Sequence, residues 1–184
     1  MPIRLLHRAP AESDTERQVP RWALRVAYAL PLLVLPSCLW RLPFVLDFDM
    51  GQIHDTDMPA LWIRIPYIFG LSTLSELAAL LSIGLVRRWG EVFPSWVPLA
   101  GGRPVPPMAA VVPAAAGGAI LSVLPVQTVL HWAGVVDEVA YDNVWWEILA
   151  KVCISPLNLW GPMVLALTCA YYVRRCRPGV KAAA

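Results

Sequence analysis

The chain has 184 residues, of which 58% are hydrophobic and 15% charged, with a formal net charge of +2. Water-soluble domains carry about 25% charged residues. A soluble enzyme, a disordered tail and a nucleic-acid binder are therefore excluded as first readings, and an integral membrane protein with a single transmembrane domain is left.

Residues 1–21 are polar and proline-containing, and they read as a poorly ordered, basic segment holding Arg4, Arg8, Arg17 and Arg21. A first apolar span follows at about 22–46. Leu35-Pro36-Ser37-Cys38 faintly resembles a lipoprotein cleavage box, but the apolar run continues through Leu39, Trp40 and Leu42 to Leu46. A cleaved signal ends its short apolar core at small residues, so this reads as an uncleaved span. The next connection holds Asp47, Asp49, Asp55 and Asp57 with no lysine or arginine. Three more spans follow at about 61–86, 108–132 and 146–173, each near the 20 residues that a bilayer core requires. Arg87, Arg88 and Arg103 lie between the second and third, whereas Asp137, Glu138 and Asp142 lie between the third and fourth. Arg174, Arg175, Arg177 and Lys181 mark a basic tail at 174–184.

Basic residues thus alternate from connection to connection, as an even number of spans requires. By the positive-inside rule both termini and the middle loop are cytoplasmic. The expected fold is all-α, a four-span transmembrane helical bundle. Tryptophan agrees: Trp22, Trp89 and Trp96 fall at one predicted boundary and Trp40, Trp62, Trp132, Trp145 and Trp146 at the other, with Trp160 alone deep. Pro31, Pro36, Pro43, Pro113 and Pro125 predict kinks in spans one and three, and Pro156 and Pro162 an opening at Trp160-Gly161. Ala110, Ala114 and Gly118 permit close backbone contact and mark span three as the packing centre or a dimer face.

Glu76 is the sharpest chemical feature. At 1.5 Å per residue it lies roughly 22 Å below the acidic-loop end of span two, where ionisable groups are expensive and often functional. Ser72 and Thr73 share its face at i−4 and i−3. Asn158 and Ser155 in span four form a complementary polar stripe, with Asn158 at nearly the same depth. Two readings stand side by side: a proton or cation site, or a neutral acid that joins helices through Asn158 or a backbone carbonyl. Glu147 and Lys151 are one turn apart and read as a surface pair. Arg41 and Arg64 read as snorkelling or paired with the first loop's aspartates, Asp57 being nearest to Arg64 in sequence. His54, His131 and the loop acids match no metal-binding or hydrolytic spacing. The four cysteines show no CxxC pair. No catalytic residue, metal or cofactor is expected.

The middle connection alternates rings with arginines and is rich in proline and tryptophan. It reads as a stiff interfacial loop whose Arg87, Arg88 and Arg103 contact anionic lipid headgroups. Leu85-Val86-Arg87, Trp89-Gly90-Glu91, Pro94, Trp96-Val97-Pro98, Gly102-Arg103 and Val105-Pro106, with Leu159-Trp160-Gly161-Pro162 and Ala170-Tyr171-Tyr172, resemble a group of small membrane proteins of high-GC actinobacteria. Arg88 departs from that pattern, which carries proline there. The likeness covers roughly spans two to four. It implies a multi-span protein of a bacterial inner membrane and no particular activity.

Three functions are therefore weighed. The first is a non-enzymatic membrane component or accessory subunit, with a second copy or another membrane protein as partner. The second is a proton-linked transporter or channel using Glu76. The third, with least support, is a lipid-directed enzyme at the outer face using His54 or His131.

Overall fold

The computed structural model describes residues 15, 17–53, 59–93, 95, 101–136 and 139–176. His54, Asp55, Asp57, Trp96, Asp137, Glu138, Arg177 and Lys181 lie outside the described residues, as do Arg4 and Arg8. Among the described residues the chain is helical, with two isolated antiparallel bridges and no strand. Four stretches are long and apolar enough to cross a membrane: Arg21–Leu46, Leu61–Val86, Pro107–Trp132 and Val144–Cys176. The first two consist of α1 (Arg21–Arg41) and α2 (Leu61–Leu81), each continued by a 3₁₀ turn, Leu42–Leu46 and Ser82–Val86 respectively. The third divides into α3 (Pro107–Leu121) and α4 (Val123–Trp132). The fourth comprises α5 (Val144–Ile154), a 3₁₀ turn Ser155–Leu159 and α6 (Trp160–Cys176).

Proline lacks the amide proton that would bond the carbonyl four residues back. Its effect here depends on position. Pro31, Pro36 and Pro113 sit inside α1 and α3 without ending them. Span three breaks instead at Ser122, just before Pro125, which occupies the first turn of α4 where no amide bond is needed. The Ser122 hydroxyl donates to the Gly118 carbonyl at 2.7 Å, which also accepts the Ser122 N–H at 3.0 Å. Span four departs from α geometry over Ser155–Leu159, one turn earlier than the opening expected at Trp160-Gly161. Pro156 is the breaker there. Pro162 lies in the first turn of α6, where proline starts a helix rather than interrupting one.

The core runs along α1. Ala23, Ala27, Leu30, Val34 and Cys38 recur at three- and four-residue spacing and are buried. Leu157, Trp160, Val164, Leu167 and Tyr171 form the matching stripe on the fourth span. Small alanines on α1 let the two backbones approach while the larger residues opposite fill the space. Helix α1 packs on α2, α5 and α6, and α3 packs on α6. The 3₁₀ turn that ends span two also packs on α6, so at the basic end spans one, two and four are mutual neighbours and span three lies against span four.

Of the two readings of span three, packing centre or dimer face, the first does not hold: it packs chiefly on α6, and only 6% of its most apolar window is buried. Its small-residue stripe serves one neighbour: a methyl group added at Gly118 would lie 2.9 Å from the Leu165 side chain on α6. The central place belongs to α1 because α1 carries small and large apolar residues in register with two partners.

At the acidic end the first and third connections pair. Ile53 N–H donates to Ala140 carbonyl at 2.9 Å and Asp142 N–H to Gly51 carbonyl at 2.8 Å. Beneath this bridge Trp40, Met50 and Ala150 form a second core with Phe44, Tyr141 and Trp146. Trp40, assigned to the aromatic belt from sequence, is therefore a buried packing residue. Trp62, Trp132 and Trp145 are 77%, 79% and 73% exposed at the same end.

Gly161 brings the fourth span against the joint of the third: a Cβ there would lie 2.5 Å from the Ser122 nitrogen. Overpacking of this kind costs about 1–3 kcal/mol. Gly161→Val is expected to lower the thermal midpoint of the detergent-solubilised protein. Gly117→Val, whose Cβ meets nothing within 4 Å, should remain close to the parent in the same melt.

Candidate functional site

Glu76 lies in the C-terminal half of α2 and opens, with Ser72 and Thr73, into a groove of about 330 Å³ between α1 and α2. Cys38, from α1, forms the opposite wall, and its thiol donates to the Ser72 carbonyl at 3.5 Å. Glu76 Oε2 and Ser72 Oγ are buried atoms with no hydrogen-bond partner among the described residues. The rim residues Leu39, Phe69 and Leu77 are exposed, so the groove faces the flank of the bundle and not its interior.

Asn158 and Ser155 belong to a different cavity, of about 300 Å³, lined also by Thr128, His131, Glu147 and Lys151. Asn158 Oδ1 accepts a hydrogen bond from the Thr128 hydroxyl at 3.1 Å, which ties the 3₁₀ turn of span four to α4. The two stripes are at similar depth yet are not brought together. Glu76 opens beside α1 and Asn158 beside α4, so similar depth alone does not make them neighbours. Lys151 donates to Glu147 at 2.6 Å, one helical turn away, and both side chains are open to solvent.

Arg64 is 4% exposed and is ion-paired to Asp47, which ends the 3₁₀ turn after α1 in a left-handed conformation at φ +56°. The hydrogen bond from Arg64, followed by its charge, holds the Asp47 carboxyl below the usual carboxylate range. This contact ties the end of span one to the start of span two.

The basic end carries the strongest electrostatic feature, and it was not among the residues singled out from the sequence. The two arms of the middle connection pair with each other. Val105 N–H donates to Glu91 carbonyl at 2.8 Å, Phe93 N–H to Arg103 carbonyl at 3.0 Å and Gly102 N–H to Phe93 carbonyl at 2.9 Å. Gly102 closes the hairpin with φ +76°, a conformation natural to glycine. The fold turns the Glu91 side chain inward, where it is 1% exposed and lies 2.9 Å from Arg174 of α6, itself 6% exposed. Arg174 also donates to the Leu85 carbonyl at 3.0 Å, and its guanidinium lies 5.6 Å from the Tyr171 ring centre. The Tyr171 hydroxyl donates to the Gly90 carbonyl at 3.0 Å. A Cβ at Gly90 would overlap the Gly84 carbonyl oxygen, so only glycine fits between the loop and the end of span two. Arg175 reaches the Val105 carbonyl at 3.3 Å and Arg17 the Arg174 carbonyl at 2.6 Å. The start of the described chain, the middle loop and the end of α6 are thereby joined at one end of the molecule.

Arg87 and Arg88 line a cavity of about 680 Å³ with Tyr28, Trp89 and Phe93. Arg87 Nε donates to the Tyr28 hydroxyl at 2.5 Å, and its guanidinium lies 5.4 Å from that ring centre. Arg103 is exposed on the other arm of the hairpin and does not line this cavity. No group of three or more His, Cys, Asp or Glu side chains able to hold a metal ion occurs among the described residues. No family model matches this chain, and neither does any curated protein or solved structure.

Removing one member of a buried ion pair leaves the other charge uncompensated and costs about 3–5 kcal/mol, whereas replacing both with apolar groups is often nearly neutral. Glu91→Leu and Arg174→Met are each expected to lower the unfolding free energy in detergent, read from denaturant titration, by about 3–5 kcal/mol. The double variant should recover most of the loss. Additive single effects in a double-mutant cycle would show that the pair is not coupled.

Proposed function

We propose that this chain is a non-enzymatic component of a bacterial cell membrane, with both termini and the middle loop in the cytoplasm. One observation carries the reading: the ion pairs seen among the described residues fasten structural elements. Glu91 with Arg174 fastens the loop to the last helix, Arg64 with Asp47 fastens span one to span two, and Lys151 with Glu147 braces α5. The distribution of lysine and arginine among the connections supports the orientation, and the actinobacterial resemblance supports the membrane. In this reading Arg87, Arg88 and Arg103 face anionic headgroups. Glu76, on a flank groove, is placed to accept a donor from a neighbouring membrane helix, supplied by a second copy or a partner protein.

Orientation is tested by single cysteines introduced after replacement of the four native ones. Ser95→Cys in the middle loop should resist a membrane-impermeant thiol reagent in intact cells, and Ala133→Cys after α4 should react. The reverse pattern overturns the orientation.

Transport through Glu76 is the competing account. It requires Glu76 and Asn158 to share a path, and they open into separate cavities. Glu76→Gln keeps a hydrogen-bonding amide, so the fold and any assembly should persist and proteoliposomes should show the same solute flux as the parent at every pH. A pH-dependent flux in the parent that disappears in Glu76→Gln would replace the structural role with a proton-carrying one.

A further inference from the structure

Spans two and three are separated at the basic end by a cleft of about 660 Å³. The end of α2 forms one wall, with Ala78, and α3 forms the other, with Ala109 and Ala114. Trp160 and Val164 of α6 close the back, and Trp89 and Phe93 of the middle loop close the basic end. Its volume is within the range of ligand pockets, about 300–1,000 Å³, and its lining is almost wholly apolar. The one side-chain hydroxyl in it, on Ser82, donates to the Ala78 carbonyl at 3.2 Å and so presents no donor to the cleft. Gly117 adds to the space, since a Cβ there would meet nothing within 4 Å.

Trp89 and Phe93 also line the arginine-bearing cavity described above. That second space offers the guanidinium groups of Arg87 and Arg88 and the hydroxyls of Tyr28 and Ser95, with no carboxylate in its lining. A long apolar chamber and a cationic chamber therefore meet at two aromatic rings. Trp89 is held there by Gly84, where a Cβ would lie 2.6 Å from the indole. Guanidinium is well matched to phosphate oxygens. Indole and phenyl rings suit the boundary between headgroup and chain.

We propose that the cleft between α2 and α3 and the adjoining arginine cavity form one site for an anionic phospholipid. The phosphate sits at Arg88 with Arg87 beside it, and an acyl chain runs along Ala78, Ala109 and Ala114 to Trp160. Charge complementarity selects the headgroup, and the position of the cleft between two membrane-spanning helices selects a lipid over a soluble phosphate. The inference rests on the reading that the basic end lies in a headgroup layer, but lipid binding in detergent does not depend on which leaflet that is. The cysteine-labelling result and the lipid result therefore fail separately.

The test is native mass spectrometry of the full chain in non-denaturing detergent, titrated with phosphatidylglycerol, phosphatidylcholine or sn-glycerol 3-phosphate. The parent should retain phosphatidylglycerol at least ten-fold more strongly than phosphatidylcholine and show no adduct with glycerol phosphate. Arg88→Gln should reduce that preference about five-fold or more. Gly117→Phe and Ala109→Phe, which fill the cleft, should lose retained lipid of both kinds; circular dichroism identifies any variant that has not folded, and the other then decides. Equal retention of the two lipids by the parent would overturn the proposal, as would glycerol phosphate binding as tightly as phosphatidylglycerol. Parent-like binding by a folded cleft-filled variant would overturn it too.

Discussion

Two opposite charges withdrawn from water, Glu91 and Arg174, organise the basic end of this protein. Taking either group out of solvent is unfavourable by several kcal/mol, and their attraction offsets this only when the remaining hydrogen-bonding positions are also filled. Arg174 meets that condition in part, through the Leu85 carbonyl and the face of Tyr171, while its buried Nη1 has no hydrogen-bond partner among the described residues. The loop must then follow a narrow path. Glycine is required at position 90 because the Gly84 carbonyl leaves no room for a side chain, and the Tyr171 hydroxyl fixes the Gly90 carbonyl. Span two, the middle connection and the last helix form one unit because each contributes a group to the same few ångströms.

The remaining architecture follows from backbone approach. Alanines at 23 and 27 on α1 and glycines at 118 and 161 allow helices to meet closely without a large shared core. Close contact of this kind is the usual means of association where lipid tails are as apolar as leucine. It leaves grooves where neighbouring helices diverge. The Glu76 groove and the large apolar cleft are both of this type. Neither is a pore through the middle of the molecule.

The number of spans and the alternation of charge were legible in the sequence because both depend on residues close together in the chain. So was the Glu147–Lys151 contact, since helical spacing alone decides it. The grouping of Glu76 with Asn158 had a different basis. Helical rise gives the depth of a residue, but the direction in which it points across the bilayer depends on which helix lies beside which. Glu76 opens beside α1 and Asn158 beside α4, so two residues at one level open on different sides. Glu91 and Arg174 were hidden for a related reason: nothing local marks residues so far apart as partners. The one available signal was chemical, a single acid in an otherwise basic connection. Trp40 likewise sits at a boundary by position, but the bridge between the two acidic connections covers it.

The distance along the chain between Glu91 and Arg174 has a consequence for biogenesis. During synthesis the acid emerges well before the arginine, which resides in α6. Until that helix inserts, Glu91 has no reason to leave water, and the loop cannot take its final form. A chain that stops short of Arg174 would therefore carry all the features that direct it into the bilayer and yet keep an unfolded basic face, exposed to proteases on that side.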